Sequence, residues 1–195
     1  ASVPASGFIA LLNLRGGSGI RPGQEALVNG AGGGVGALAL PLAKARGAHV
    51  TGVDSTRKLS MLRSLGADQV IDYTQEDFTQ SGGRYDLIFD VPGNHPFSAC
   101  RRALTPSGRY VLIGHEHFGA SGKRVFGILP HFFTLIFLSL FVKQLRLGRS
   151  SIPSKQDAVA VFRELLEAGK ITPVIDSTYP LSRAPESLRH MIEDE

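Results

Sequence analysis

The sequence has a single cysteine, Cys100. One thiol cannot form a disulfide within the chain and cannot make a cysteine zinc site alone, which favours a reducing compartment. The first four residues do not join a basic flank to an apolar core, so no secretory signal peptide is predicted. We therefore expect a cytoplasmic protein.

Charge of one sign and long apolar runs are also scarce. The 21 Lys and Arg residues exceed the 17 Asp and Glu residues by only four, and they are scattered, which disfavours nucleic acid as a partner. The one membrane-like stretch, residues 125–142, contains Pro130 and His131 and barely reaches spanning length. We interpret it as a buried helix and strand, so no membrane partner is predicted.

Hydrophobic residues make up 43% of the chain and charged residues 19%, which is enough for a packed core. Short apolar runs alternate with amphipathic stretches between residues 25 and 114, a pattern typical of βαβ units. The sequence therefore predicts an α/β fold with a doubly wound parallel sheet. The predicted strands are 25–29, 49–53, 69–71, 85–90, 109–114 and 137–143. One helix is predicted directly after the glycine cluster at 30–36, and three others are predicted at 57–65, 96–104 and 155–168. A turn is predicted at 105–108, and a strand, a turn and a helix within 171–195.

The glycine cluster joins the first predicted strand to the first helix of this sheet. It contains Gly32, Gly33 and Gly34, followed by Val35. Without side chains in the way, backbone amides and the positive end of a helix can face a pyrophosphate. Many glycine clusters are plain turns, but the position between a strand and a helix favours a dinucleotide-binding (Rossmann) domain.

Residues after the second predicted strand bear on the choice of cofactor. Asp54 lies about twenty residues beyond the loop, where a carboxylate accepts hydrogen bonds from a ribose 2′-hydroxyl and favours NAD. Ser55, Arg57 and Lys58 follow it, and a hydroxyl and two cations suit the 2′-phosphate of NADP. The alternative is structural: Asp54 caps a helix, and the two cations lie on its solvated first turn.

Other users of such a loop fit less well. A short-chain dehydrogenase needs a Tyr-x-x-x-Lys motif, and none of the four tyrosines has lysine four positions later. A methyltransferase would use the glycine loop and the acidic residue after the second strand to hold S-adenosylmethionine, but this function gives no reason for a lysine at position 58. His115 and His117 have no third ligand nearby, so we predict no metal site there and interpret the segment as a loop near the cofactor mouth.

The sequence resembles the medium-chain dehydrogenases/reductases, specifically the zinc-free quinone oxidoreductase, or zeta-crystallin-like, branch. Besides the glycine loop, the shared motifs are PASG at 4–7, RPGQ at 21–24, LGAD at 65–68, IDY at 71–73, DVPGN at 90–94, LTPSG at 104–108 and GKITPVI at 169–175. The resemblance thus extends over nearly the whole chain.

The resemblance implies three groups of cofactor contacts. Backbone amides that contact the pyrophosphate belong to Gly33, Gly34 and Val35, within the loop that also includes Gly32. Side chains that hold the adenosine 2′-phosphate are Ser55, Lys58 and Tyr73, beside Arg57. Groups that lie toward the ribose and nicotinamide are Asn94 and the backbone of Ile113 and Gly114. Asp54 departs from NADPH-specific members, so NADPH is expected and NADH stays possible.

The resemblance also bears on zinc and on domain organisation. Ser6 stands where zinc-dependent relatives carry a cysteine ligand, and serine is a poor substitute for a thiolate, which favours a zinc-free mechanism. Residues 1–170 are expected to form the dinucleotide-binding domain, and 171–195 a truncated return segment of a second, catalytic domain. Because that domain is not in this sequence, we expect little or no activity from this chain alone.

The implied reaction is hydride transfer from a nicotinamide to a small-molecule quinone, enone or similar carbonyl. No catalytic residue is predicted. Two alternatives stay open: a non-catalytic dinucleotide-binding module or sensor, and a zinc-type alcohol dehydrogenase whose zinc ligands lie elsewhere. Relatives pair their subunits along an edge strand, so a homodimer through residues 137–143, from Phe137 to Lys143, is expected.

Overall fold

The computed structural model describes residues 3–14, 20–114, 155–175 and 177–193. Within them, one five-stranded sheet has the order β3-β2-β1-β4-β5, and every pair of neighbouring strands is parallel. The strands are β1 (Glu25–Asn29), β2 (His49–Asp54), β3 (Gln69–Asp72), β4 (Tyr85–Asp90) and β5 (Leu104–Leu112). This is the doubly wound order, which confirms the predicted fold class.

Three of the described helices, α2, α3 and α4, connect consecutive strands, while α1 precedes β1 and α5 and α6 follow β5. They are α1 (Val3–Leu14), α2 (Gly36–Ala45), α3 (Leu59–Ser64), α4 (Phe97–Ala103), α5 (Lys155–Glu167) and α6 (Ala184–Glu193), with single 3₁₀ turns at Thr56–Lys58 and Leu181–Arg183. Apolar side chains form two cores. Leu87 and Phe89 of β4 pack into one core, and Ile88 packs into the other. Because neighbouring residues of a strand face opposite sides, the sheet is buried on both faces.

Helix α1 was not predicted from the sequence. Its residues Ala10, Leu11 and Leu14 are fully buried in the core that α2 and α5 share. Their spacing of one, three and four residues is a helical pattern that was present in the sequence. The helix also packs tightly, because a Cβ on Gly7 would lie 2.8 Å from Cε2 of Phe162 on α5.

The predicted turn at residues 105–108 is wrong. Strand β5 begins directly after α4, with Leu104 paired to Tyr85, and the next pairing joins Arg109 to Leu87. The intervening residues therefore form an irregularity inside the strand. Gly108 fits there because a Cβ would lie 2.7 Å from the Tyr85 carbonyl oxygen.

Two other predictions at strand boundaries need correction. β5 ends at Leu112 and not at residue 114, and residues 171–175 contain no strand. The Lys170 and Ile171 amides instead bond to the carbonyl oxygen of Leu165, so this segment closes the end of α5. The helix predicted in 171–195 is present as α6.

Some predictions fall on residues that the structure does not describe. These are the sixth strand at 137–143 with the dimer contact assigned to it, the helix and strand interpretation of 125–142, and the histidine segment 115–117. Among the helices that are described, none combines the length and the apolar character needed to cross a bilayer.

Candidate functional site

The sequence-predicted site residues all follow strands of one parallel sheet. Because parallel strands end at the same edge, the glycine loop, the segment after β2, Tyr73, Asn94 and Gly114 meet at the carboxyl edge. The chain winds from β1 through β2 to β3 and then crosses to β4 on the other side of β1. Ligands of doubly wound sheets bind at this switch point between β1 and β4.

The glycine loop is held tightly against the strands. Gly30 has a φ of +74°, a conformation that favours glycine, and its amide and that of Ala31 donate to the Val53 carbonyl oxygen at 3.0 and 3.1 Å. A Cβ on Gly36 would lie only 2.2 Å from the Gly30 carbonyl oxygen. Glycine at position 36 therefore lets α2 begin in contact with the end of β1.

Of the four amides from Gly32 to Val35, two donate within the part of the protein that the structure describes and two do not. The Gly32 amide donates to Asp54 Oδ2 at 2.7 Å, and the Gly33 amide donates to the Gly30 carbonyl oxygen at 3.1 Å. The amides of Gly34 and Val35 have no acceptor among the described residues, and they lie at the start of α2. A side chain would not crowd Gly34 either, because its Cβ would meet only Ser6 Oγ, at 3.5 Å. The loop thus fits an anionic group that accepts from these two amides.

Asp54 braces the glycine loop. Only 7% of it is exposed, its Oδ2 accepts from Gly32, and its Oδ1 accepts from the Ser55 amide at 2.9 Å. Lys58 Nζ lies 3.8 Å from the same Oδ1. The cap of the following 3₁₀ turn is Ser55 and not Asp54, with no side-chain cap bond. Both carboxylate oxygens are therefore already occupied by donors within the protein.

Cationic and hydroxyl groups lie beside this carboxylate. The Lys58 stem passes over the loop, because its Cδ is 2.6 Å from where a Cβ on Gly32 would lie. Arg57 is exposed, Ser55 is half-buried and Tyr73 is 57% exposed. The Tyr73 amide donates to the Asp54 carbonyl oxygen at 3.2 Å, which anchors the end of β3 next to β2. This part of the edge can therefore offer hydroxyls and positive charge to a phosphate.

A buried carboxylate organises the other side of the switch point. Asp90 is fully buried and accepts three hydrogen bonds: from Asn29 Nδ2 at 2.9 Å, from the Gly93 amide at 3.0 Å and from the Tyr110 hydroxyl at 2.7 Å. From the sequence, Asp90 was recognised only as part of the motif at 90–94, and no role was predicted for Asn29. A polar residue that ends an otherwise apolar strand was the available signal for both.

Asn94, Ile113 and Gly114 lie around this carboxylate. The Ile113 amide donates to the Asp90 carbonyl oxygen, and the Gly114 amide donates to that of Val91, each at 2.9 Å. Gly114 also permits close approach, because a Cβ would lie 2.5 Å from the Val91 carbonyl oxygen. The end of β5 is therefore fixed to the loop that carries Asn94.

Cys100 lies fully buried on α4. Burial, and then the nearby charge of Asp90, raises the pKa of its thiol to about 12. Since the thiolate is the nucleophile, Cys100 of the native protein should resist alkylation at about pH 8 and react once the chain is unfolded. Thiol titration with and without denaturant tests this, and rapid labelling of the native protein would contradict it.

The described residues do not supply a zinc ligand set. None of the His, Cys, Asp and Glu side chains in the described ranges form a group of three that could hold a metal ion. Ser6 faces the glycine loop, because its Oγ lies 3.5 Å from where a Cβ on Gly34 would be.

Comparisons with known proteins agree with this architecture. A family described as zinc-binding dehydrogenase matches residues 65–195. A chloroplast envelope quinone oxidoreductase homolog of Arabidopsis thaliana is 31% identical over 99% of this chain and 58% of its own length. The mitochondrial NAD(P)H oxidoreductase RTN4IP1 of Mus musculus is 37% identical over 85% of this chain and 44% of its own length.

A solved structure shares the fold. The quinone oxidoreductase from Coxiella burnetii superposes with a TM-score of 0.74 at 25% identity, over 99% of this chain and 56% of that one. The chain spans about half the length of the curated relatives it matches.

Proposed function

Because the chain belongs to the zinc-binding dehydrogenase family, within the medium-chain dehydrogenases/reductases, we propose that it forms the nicotinamide-dinucleotide-binding part of an oxidoreductase. The observation that carries the proposal is the pair of amides at Gly34 and Val35, which lack described acceptors and lie at the switch point of the sheet. The substrate class is a quinone, an enone or a similar carbonyl compound.

The residues of this chain bind and orient the cofactor. The Gly34 and Val35 amides donate to the pyrophosphate, and the Gly32 and Gly33 amides hold the loop in shape through Asp54 and Gly30. The loop after β4 and the end of β5 would position a nicotinamide, which would supply the hydride when bound. We assign no catalytic residue, and we propose that this chain alone turns over little or nothing.

NADPH is the proposed cofactor. An Asp54 with both oxygens free to accept from ribose hydroxyls would favour NADH, but Gly32 and Ser55 already donate to its two oxygens, which leaves fewer lone pairs for a ribose. Lys58 and Arg57 then supply positive charge for a 2′-phosphate, which NADH lacks. NADH is expected to bind the same loop more weakly.

Replacing Lys58 by alanine tests this preference. The dissociation constant of NADPH should rise about tenfold, because a hydrogen bond to a charged group contributes about 1.5–3 kcal/mol, while that of NADH should change by less than about twofold. Fluorescence titration measures both constants. Arg63→Ala, which removes an exposed cation from α3, is the matched control. Equal losses for the two cofactors would contradict the assignment.

The wider proposal is tested by titrating the chain with NADPH and following the nicotinamide fluorescence. Saturable binding that adenosine 2′,5′-bisphosphate displaces supports it. If neither compound binds at millimolar concentration, the proposed function fails.

Three further expectations accompany the proposal. Hydride transfer proceeds without zinc, since Ser6 replaces the cysteine ligand. The complete protein is a homodimer through residues 137–143, and it is located in the cytoplasm. Metal analysis of active enzyme, sedimentation and localisation of the full-length protein test them in turn.

A further inference from the structure

The side-chain amide of Asn94 has a fixed orientation. Its Oδ1 faces two nitrogen atoms, Asn29 Nδ2 at 3.2 Å and His95 Nδ1 at 2.8 Å. Interchanging the oxygen and nitrogen of Asn94 would place a donor against Asn29, so the orientation follows from that of Asn29.

The buried carboxylate in turn fixes Asn29. Asp90 receives donors from Asn29, Gly93 and Tyr110, so the atom that Asn29 turns toward it is the NH₂ nitrogen. The second hydrogen of this NH₂ group points to Asn94, so the Asn94 atom that faces Asn29 must be its oxygen. The buried Asp90 therefore determines the orientation of the Asn94 amide at the edge of the sheet. Because the same oxygen faces His95 Nδ1, this nitrogen must carry a hydrogen as well.

The consequence for the site is a donor that points outward. Asn94 is exposed, its Oδ1 is occupied, and its Nδ2 has no acceptor among the described residues. Asn94 follows β4, on the side of the switch point away from β2. Because the adenosine ribose lies at the end of β2, the other half of a dinucleotide extends toward β4.

We propose that Asp90 and Asn29 are positioning residues that hold the Asn94 amide with its N–H groups outward, where Asn94 donates to an oxygen of the nicotinamide half of the cofactor. This inference rests on the proposed function and adds to it two positioning residues and the orientation of the Asn94 amide. The acceptor is a carboxamide or ribose oxygen, since either accepts the same hydrogen bond.

The decisive variant is Asn94→Asp. It keeps an oxygen facing Asn29 and His95, so both internal hydrogen bonds persist, and it replaces the outward NH₂ group with a negatively charged acceptor oxygen. The dissociation constant of NADPH should rise about tenfold or more, whereas that of adenosine 2′,5′-bisphosphate, which lacks the nicotinamide half, should stay within about twofold. Ser98→Asp on α4 adds a carboxylate nearby outside the network and should leave both constants unchanged.

A second variant tests the positioning role. Asn29→Ala leaves Asp90 with two donors and frees the Asn94 amide to turn over. NADPH binding should weaken about threefold to fivefold, with adenosine bisphosphate binding again preserved, which a general loss of structure would not produce.

The outcomes separate the two proposals. If the unaltered chain binds neither compound, the proposed function fails. If it binds both and Asn94→Asp leaves NADPH binding unchanged, or weakens both ligands equally, the inference about Asn94 is overturned while the proposed function stands.

Discussion

Replacing Gly36 by alanine is expected to lower the free energy of unfolding by about 3 kcal/mol and to abolish measurable NADPH binding. The new Cβ would lie 2.2 Å from the Gly30 carbonyl oxygen and 2.7 Å from the Ala31 Cα. Both are backbone atoms, so no side-chain rotation relieves the overlap. The start of α2 must move away from β1, and the amides of Gly34 and Val35 move with it. Denaturant unfolding and cofactor titration measure the two effects.

Gly34→Ala is the matched control for this substitution. Its Cβ would meet only Ser6 Oγ at 3.5 Å, which is an ordinary contact, so the free energy of unfolding should change by less than about 1 kcal/mol. NADPH binding should nevertheless weaken about tenfold, because a methyl group would project from the surface that receives the pyrophosphate. Equal stability of the two variants would contradict the described loop geometry.

Replacing Asp90 by alanine is expected to cost about 3–5 kcal/mol of folding free energy. The substitution removes the acceptor of the Gly93 amide and of the Tyr110 hydroxyl, and it leaves Asn29 Nδ2 with Asn94 Oδ1 as its one remaining acceptor among the described residues. A buried donor that loses a hydrogen bond costs about 1–3 kcal/mol, and three such bonds are lost here. Chemical denaturation of the purified variant measures the difference.

Asp86 provides the control on the same strand. It accepts from the Glu25 amide at 3.1 Å and from Thr105 Oγ1 at 3.0 Å, but it is half-buried, so water can replace both donors. Asp86→Ala should therefore cost about 1 kcal/mol. If the two alanine variants are equally stable, the three hydrogen bonds to Asp90 do not contribute to the free energy of unfolding as proposed.

Local sequence patterns predicted the parts of the fold that depend on local interactions. The bounds of β1 and β4 were correct because each is a short apolar run next to turn residues, and the same pattern placed Asp54 at the end of the second strand. The prediction at residues 105–108 failed because the structure of this segment depends on pairing with a strand that is distant in sequence. Proline and glycine there are typical of a turn, but pairing with β4 turned the segment into an irregular part of β5.

The polar contacts of the site depend on long-range geometry that sequence spacing does not give. Asn29 meets Asp90 across 61 positions, and Gly32 meets Asp54 across 22. The sequence indicated that Asp54 would accept hydrogen bonds, but the donors in the structure are backbone amides of the protein. Only the contacts of the described residues show that the Gly32 amide is used within the protein and that the Gly34 and Val35 amides remain available for a ligand.

We propose that the Gly34 and Val35 amides receive the pyrophosphate of a nicotinamide dinucleotide. The decisive measurement is an NADPH titration followed by NMR, because amide chemical shifts report on each loop amide even when binding is weak. Saturable shifts are expected at Gly34, Val35 and Gly114, while Gly23 and Gly82, which precede β1 and β4 at the opposite edge of the sheet, should stay unchanged. Unaltered Gly34 and Val35 signals at millimolar NADPH would contradict it.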